Sequence, residues 1–242
     1  GYRNSGYLDE YDSETITIKG ERTISQNDSI SFGYGGEYKY DWGAFENRGS
    51  YTASTKGHVK DLGLFANAGF KISENQILSI YGRTDGHNTT GSNQTYKLNF
   101  TQILGKLKLA ATHSTGLRNP SLYELYGSDN YGIGGNPDLK PEKSETNEIY
   151  VEYNFSEKLK FTSMAYRAKV SDRIESNSAY SRHENLLSSI NQEGLESELL
   201  LSGNDQLFGI FTNFSKSRKA NGTGQARRPD LSYGGSYSKK FK

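Results

Sequence analysis

A strict alternation of apolar and polar residues runs through the segment EIYVEYNF, residues 148–155. In an extended strand Ile149, Val151, Tyr153 and Phe155 would share one face, because successive side chains point to opposite sides. The same period of two returns through most of the sequence, whereas helical periodicity is almost absent. The pattern predicts an all-β fold with one apolar face and one polar face.

The composition suits strands better than a conventional packed core. Only 33% of the 242 residues are hydrophobic and the mean hydropathy is −0.80, yet the chain has 18 Tyr and 27 Gly. Tyr and other β-favouring residues fit a pleated, half-buried surface. A net charge of +1 predicts no nucleic-acid partner, and the absence of cysteine excludes disulfides, thiolate zinc sites and a catalytic thiol.

Two targeting signals are missing from the sequence. No apolar run approaches the roughly 20 residues that a transmembrane helix needs. The first residues also lack the basic and apolar regions of a signal peptide. We therefore expect a mature chain or a piece of a longer one, and membrane-spanning strands stay possible because their sequence signal is weak.

The period of two predicts eleven strands, at residues 14–21, 28–40, 62–71, 76–85, 94–103, 106–116, 144–155, 158–170, 191–202, 206–216 and 230–241. Tight connections at 73–75, 104–105, 156–157 and 204–206 alternate with long polar segments at 41–61, 86–93, 117–143, 171–190 and 217–229. All short turns would then lie at one end of the sheet and all long loops at the other.

This asymmetry is typical of an outer-membrane β-barrel, which has short periplasmic turns, long external loops and an apolar outer face. Closed bacterial barrels have an even number of strands. Eleven strands therefore predict a segment of a larger barrel. Two alternatives remain open at this point, a complete small barrel of 10 or 12 strands acting as a passive pore or adhesin, and a soluble secreted β-sandwich.

Two sequence stretches then resemble the signature region of TonB-dependent outer-membrane receptors, namely STGLRNPSLYELYG (114–127) and GNPDLKPEKSETNE (135–148). The matching positions are Arg118, Pro120, Leu122, Leu125, Tyr126, Gly135, Asn136, Pro137, Leu139, Pro141 and Glu142. Downstream, Asn191, Gly194 and Glu196 resemble the family's Asn-x-x-Gly-x-Glu strand opening, and Arg228 with Pro229 resembles its Arg-x-Pro strand entry.

The resemblance implies a receptor of the cobalamin or ferric-siderophore type, with a barrel of about 22 strands and a plugged lumen. It implies a Gram-negative outer-membrane location and active uptake of a scarce, bulky nutrient. The implied partners are outer-membrane lipid, the small-molecule substrate and TonB, which would act through a plug. Residues 1–242 contain no plug, no TonB box and none of the family's last strands. We therefore expect the whole chain to be one barrel segment.

The signature residues are expected to have structural roles. Pro137 and Pro141 fix φ and favour extended conformations before them, so the loop should fold back over the rim. A helical turn is predicted after Pro120, capped by Asn119 or Ser121, with Leu122 and Leu125 packing inward. The residues assigned such family roles are Arg118, Pro120, Leu125, Tyr126, Asn136, Pro137, Leu139, Pro141, Glu142, Gly194, Glu196, Arg228 and Pro229.

Ligand contacts are expected at the tips of the long loops, where binding groups collect. The candidates are Tyr126, Asp129, Asn130, Tyr131, Tyr180 and Arg182. The four histidines lie in separate elements, and the sequence has neither an H-E-x-x-H nor a G-x-S-x-G motif. We therefore predict no enzymatic activity, no catalytic residue, no metal site and no cofactor.

Overall fold

In the computed structural model, eleven strands form one antiparallel sheet in which each strand pairs with the next along the chain. The structure describes residues 8–27, 29–48, 52–129, 131–219 and 229–240. The sheet strands are β1 Leu8–Asn27, β2 Ile30–Arg48, β3 Ala53–Ser73, β4 Gln76–His87, β5 Gly91–Leu104, β6 Leu107–Arg118, β7 Glu142–Asn154, β8 Leu159–Ser171, β11 Ile190–Ser202, β12 Gln206–Lys219 and β13 Leu231–Lys239. The predicted all-β fold is confirmed.

Three smaller elements lie outside this sheet. A short helix, α1 (Leu122–Tyr126), follows β6. Strands β9 (Ile174–Ser176) and β10 (His183–Asn185) form a separate antiparallel hairpin in the connection between β8 and β11. The helical turn is predicted by the sequence, whereas this hairpin is not.

The two faces of the sheet differ as the alternation predicts. Outward-facing apolar side chains are solvent-accessible in the chain, for example Leu64 at 55% and Ile149 at 61%, while their neighbours on the inner face are mostly polar. An apolar face left open in this way must be covered by another apolar medium, because its exposure to water is unfavourable at roughly 25 cal/mol per Å². A lipid-facing outer surface satisfies this requirement.

The sheet does not close on itself in the described part of the chain. β1 pairs only with β2, and β13 pairs only with β12. This agrees with the prediction of an open segment of a larger barrel.

Two of the predicted long connections are wrong. β2 continues to Arg48 and β3 begins at Ala53, so most of segment 41–61 is paired strand. β4 and β5 likewise leave only residues 88–90 between them. These segments lack a long apolar alternation, since strands that rise above the lipid can be wetted on both faces while their backbone pairing continues.

The remaining long connections are placed as predicted. Residues 119–141 join β6 to β7 and residues 172–189 join β8 to β11, at the end of the sheet opposite the tight turns at 74–75 and 105–106. Most of segment 217–229 lies outside the described residues. No helix in the described part of the chain is both long and apolar enough to cross a bilayer.

Candidate functional site

The two long connections meet at the long-loop end of the sheet. We call residues 119–141 loop A and residues 172–189 loop B. The Gly134 amide donates to the Ser181 carbonyl oxygen over 2.8 Å, and Gly134 also forms a parallel β-bridge with Arg182. The tips of the two loops, which are distant in sequence, are therefore neighbours in space.

Asparagine side chains join the loops at two further points. Asn136 Nδ2 donates to the His183 carbonyl oxygen over 2.9 Å. Asn185 Oδ1 accepts from the Lys140 amide over 2.8 Å, and Asn185 Nδ2 donates to the carbonyl oxygens of Lys140 and Asp172 over 2.9 and 2.7 Å. Because an amide side chain offers both donors and an acceptor, these two residues replace backbone pairing where the loops are irregular.

Helix α1 begins loop A and has a complete capping box. Ser121 Oγ accepts from the Glu124 amide over 3.2 Å, and Glu124 Oε2 accepts from the Ser121 amide over 2.7 Å. This reciprocal pair satisfies two amides that a helix start otherwise leaves free. Of the two predicted caps, Ser121 is the one used. Asn119 instead donates to Asp61 Oδ2 over 3.3 Å and accepts from Thr90.

A small apolar cluster ties both loops to the inner wall. Leu125 of α1 and Leu139 of the Pro-rich bend are 1% and 2% exposed, and they pack with Val59 of β3 and Ile174 of β9. Full burial of one such side chain contributes about 1.5–3 kcal/mol. The predicted inward packing of Leu125 is confirmed, and the cluster holds loop A against β3 rather than extending it into solvent.

The Arg118 guanidinium binds two carboxylates at once. Nε and Nη2 donate to Glu142 over 2.8 Å each, and Nη1 and Nη2 donate to Glu124 over 2.9 and 3.0 Å. The end of β6, the start of β7 and helix α1 are thereby joined through one side chain. Such paired, charge-assisted contacts are the stronger kind of hydrogen bond.

Both carboxylates lie at the long-loop end of the sheet, Glu124 in α1 and Glu142 at the start of β7, and the pKa of each is lowered. Burial by itself raises the pKa of Glu124, but the hydrogen bonds from Arg118 and Ser121 outweigh it and lower that pKa. The hydrogen bond from Arg118 lowers the pKa of Glu142, against a smaller opposing effect of burial and with help from the Ile174 amide. Both groups are therefore ionised at neutral pH.

Two glycines allow the close approach of loop A to its surroundings. A Cβ at Gly135 would lie 2.5 Å from the Leu125 carbonyl oxygen and from the Tyr126 amide nitrogen. A Cβ at Gly57 of β3 would fall within the Tyr126 ring, which rests on that glycine. Thr55, the neighbour of Gly57 on the inner face, donates to the Tyr126 carbonyl oxygen over 2.5 Å. The signature residue Tyr126 is therefore anchored on the wall.

Three aromatic rings fill the space between loop A and the first strands. Tyr123 makes edge-to-face contacts with Tyr11 and Phe45, at centroid distances of 5.8 and 5.9 Å. Its hydroxyl donates to Asp129 Oδ2 over 3.2 Å. Burial, followed by the nearby Asp129 carboxylate, raises the pKa of Tyr123 well above its usual range. This phenol therefore stays protonated and acts as a hydrogen-bond donor.

The structure separates the candidate ligand residues into two groups. Asp129 Oδ1 accepts from the Tyr131 and Ile133 amides, so its carboxylate is engaged within loop A. Tyr126 packs inward as described above. Tyr131 and Tyr180 are 85% and 68% exposed at adjoining loop tips, and Arg182 is exposed beside them. Asn130 lies outside the described residues.

In the described part of the chain, no group of three or more His, Cys, Asp or Glu side chains is arranged to hold a metal ion. Val59, Ile174 and Tyr123 are not predicted from the sequence, although each helps to position the loops. Val59 sits in a segment without apolar alternation, and Ile174 in a polar loop, so neither carried a local signal.

The family follows from comparison of the whole chain. Residues 1–241 match the family model described as TonB dependent receptor-like, beta-barrel. The chain belongs to the TonB-dependent receptor family. The family resemblance of the signature motifs is thereby confirmed.

The sequence relatives and structural neighbours of this receptor barrel are longer proteins. The vitamin B12 transporter BtuB of Photobacterium profundum is 32% identical over 140 residues, which cover 54% of this chain and 22% of the relative. The siderophore receptor PirA of Acinetobacter baumannii superposes with a TM-score of 0.80 at 17% identity, over 96% of this chain and 41% of that one. The copper transporter OprC superposes with a TM-score of 0.77 at 14% identity, over 98% and 42% of the two chains.

Two downstream signature residues of the receptor barrel, Gly194 and Glu196, lie on the inner face of β11. A Cβ at Gly194 would approach the Tyr166 ring to 2.6 Å, so the glycine leaves room for that ring across the strand pair. Glu196 lies two residues further along the same face. The Pro229 carbonyl oxygen accepts from Ser215 Oγ over 3.3 Å at the start of β13. Arg228 is outside the described residues.

Proposed function

We propose that this chain forms part of the wall and mouth of an outer-membrane receptor that imports a scarce, bulky nutrient with energy from TonB. The family membership supports this activity, and the apolar outer face supports the membrane location. The aligned part of the chain spans about a fifth of the relative BtuB, and the chain spans about two fifths of PirA from Acinetobacter baumannii and of OprC. The plug and the other strands would belong to portions of the receptor outside this segment.

The observation that carries the proposal is the folded mouth formed by loops A and B. Both loops are fixed to the inner wall and to each other, so they hold a defined surface at the entrance. Tyr131 and Tyr180 are exposed in these two joined loops, and Arg182 forms a β-bridge with Gly134 of loop A. Tyrosine rings supply a large contact area at a low cost in conformational entropy, and a guanidinium supplies several hydrogen-bond donors to a polar ligand.

Cobalamin is the first candidate nutrient, and ferric siderophores are the second. The preference for cobalamin is supported by the transporter BtuB, a relative in sequence, whereas the siderophore receptors are similar in fold alone. Tyr131, Tyr180 and Arg182 would contact the nutrient, and Asp129 would shape the loop that carries Tyr131.

The test uses the intact receptor in outer-membrane vesicles. Equilibrium binding of cobalamin and of a panel of ferric siderophores should show submicromolar affinity for one class, and uptake by cells should stop when TonB is removed. If neither class binds in that range, the nutrient assignment is wrong. If small solutes cross the barrel at the same rate without TonB, a passive pore replaces the receptor.

A further inference from the structure

The outward face carries a row of polar side chains where its apolar band ends toward the long loops. The strand register sets His113 of β6 opposite Asn147 of β7, and Asn147 opposite Arg167 of β8. Tyr96 of β5 reaches the row through its hydroxyl. We call these four residues the polar row. They share the face of Ile149 and would meet lipid in a membrane.

Hydrogen bonds within the chain satisfy Tyr96, His113 and the Asn147 oxygen, but not the other donors of the polar row. His113 Nδ1 and Asn147 Oδ1 lie 2.8 Å apart, and His113 Nε2 lies 3.0 Å from the Tyr96 hydroxyl. Because an amide oxygen can only accept, His113 donates from Nδ1, and in the neutral ring Nε2 accepts from Tyr96. The Asn147 amide nitrogen and the Arg167 guanidinium make no hydrogen bond or ion pair within the described residues.

A groove of about 600 Å³ lies directly beneath the polar row. Its apolar lining comes from Leu98, Phe100, Ala111, Ile149 and Ala165, and its upper edge from three members of the row. Ala111 lies opposite Phe100 on one side and Ile149 on the other, so it forms a depression between two larger side chains. The shape and polarity fit an acyl chain below a polar head.

Cationic side chains dominate the rim above the groove. Lys143 and Lys169 are exposed on the outward face, and like Arg167 they form no ion pair in the described part of the chain. With Glu145, which lies opposite Lys169, and Glu193 of β11, which lies opposite Arg167, these side chains sum to a net charge of +1 on β7, β8 and β11. The rim is therefore complementary to an anion.

We propose that this surface binds a phosphate-bearing lipid of the outer leaflet. One acyl chain occupies the groove, and the phosphate oxygens accept hydrogen bonds from Arg167 and from the Asn147 amide nitrogen. Polar donors at the edge of a bilayer must find partners, and the planar guanidinium matches a phosphate in a bidentate manner. Arg167 could also extend its side chain to water, as long cationic side chains do near a bilayer edge. That arrangement would need neither the groove nor the neighbouring amide donor.

The inference depends on the proposed membrane location but not on the nutrient. The test is native mass spectrometry of the intact, delipidated receptor, titrated with diphosphoryl lipid A or with the phosphate-free lipid monogalactosyl-diacylglycerol. Lipid A should bind at a concentration where the galactolipid does not. Arg167→Gln should weaken lipid A binding about tenfold, and Arg167→Lys should weaken it less, since charge-assisted bonds to Arg are the stronger ones.

Lys60→Gln is the matched control. Lys60 is an exposed outward-facing cation on β3, five strands from β8. Its substitution should leave lipid A binding unchanged, and circular dichroism should be the same for all variants. Equal binding by wild type and Arg167→Gln, equal binding of both lipids, or coverage of this face by a second receptor copy would overturn the lipid site. Absence of the receptor from the outer-membrane fraction would overturn the proposed location as well.

Discussion

The contacts of Arg118 give the sharpest test of how the mouth is held. Replacing Arg118 by Met keeps most of the unbranched apolar stem of the side chain but removes all four hydrogen bonds to Glu124 and Glu142. The Arg118 side chain is 46% exposed, so each bidentate pair is screened by solvent and is worth about 1 kcal/mol. The two pairs together should contribute about 2 kcal/mol to the closed form of loop A.

A loss of about 2 kcal/mol raises the population of the open loop roughly 30-fold. Hydrogen exchange followed by mass spectrometry on the intact receptor measures this population, because the amides of Leu125, Gly127 and Asn136 are bonded only when the loop is folded. Peptides from loop A should exchange roughly 30-fold faster in Arg118→Met, whereas peptides from β8 should be unchanged, since their bonds belong to the sheet.

Arg48→Met supplies the control for the loss of a surface arginine. Arg48 is 67% exposed and makes one 3.7 Å contact with Glu46, so its removal should change exchange by less than twofold. An Arg118→Met variant whose loop A exchanges within threefold of the wild type would refute the reasoning. Equal acceleration in loop A and in the sheet would also refute it, because the effect would then be global.

Three further outcomes follow from the same contacts. The two carboxylates that bind Arg118 have lowered pKa values, so their stabilisation of loop A is complete above the ordinary pKa of 4.5 and is lost as the pH falls below it. Hydrogen exchange, corrected for the intrinsic rate, should therefore show loop A protected from pH 7 to 5 and progressively unprotected at lower pH. Gly57→Val should displace the Tyr126 ring and loosen loop A by about 1–3 kcal/mol in the same exchange experiment, whereas Gly20→Val, with open space around it, should not. Arg182→Ala should weaken nutrient binding about tenfold in a direct titration while leaving loop A exchange unchanged, because its side chain is exposed and a lost charged contact is worth about 1.5 kcal/mol. Unchanged affinity would remove Arg182 from the binding surface.

The lipid-facing strands could be predicted from the sequence because lipid imposes a local rule. Each outward residue of the apolar band must be apolar while its neighbours are not, and this alternation is visible within any one strand, as at 148–155. The capping box of α1 is equally local, since Ser121 and Glu124 are three residues apart. The tight turns could also be predicted, because each involves only a few consecutive residues.

The extent of β2 and β3 and the assembly of the mouth depend on the tertiary structure. Arg118 and Glu142 are 24 residues apart, and Val59 meets Leu125 only because loop A folds onto the wall. Nothing in either segment specifies the other, so these contacts exist only once strand pairing has set the register. Arg167 and Asn147 are likewise distant in sequence and become neighbours only through the pairing of β7 with β8.

The sequence by itself therefore determined the strand pattern, the outward face and the family, since each rests on short-range spacing. Only the tertiary structure decided which predicted ligand residues remain accessible. In the folded chain the Asp129 carboxylate accepts hydrogen bonds within loop A, whereas Tyr131 and Tyr180 remain exposed at adjoining loop tips. The physical reason is that hydrogen-bond satisfaction and burial are properties of the folded neighbourhood, which brings together segments that are distant in the chain.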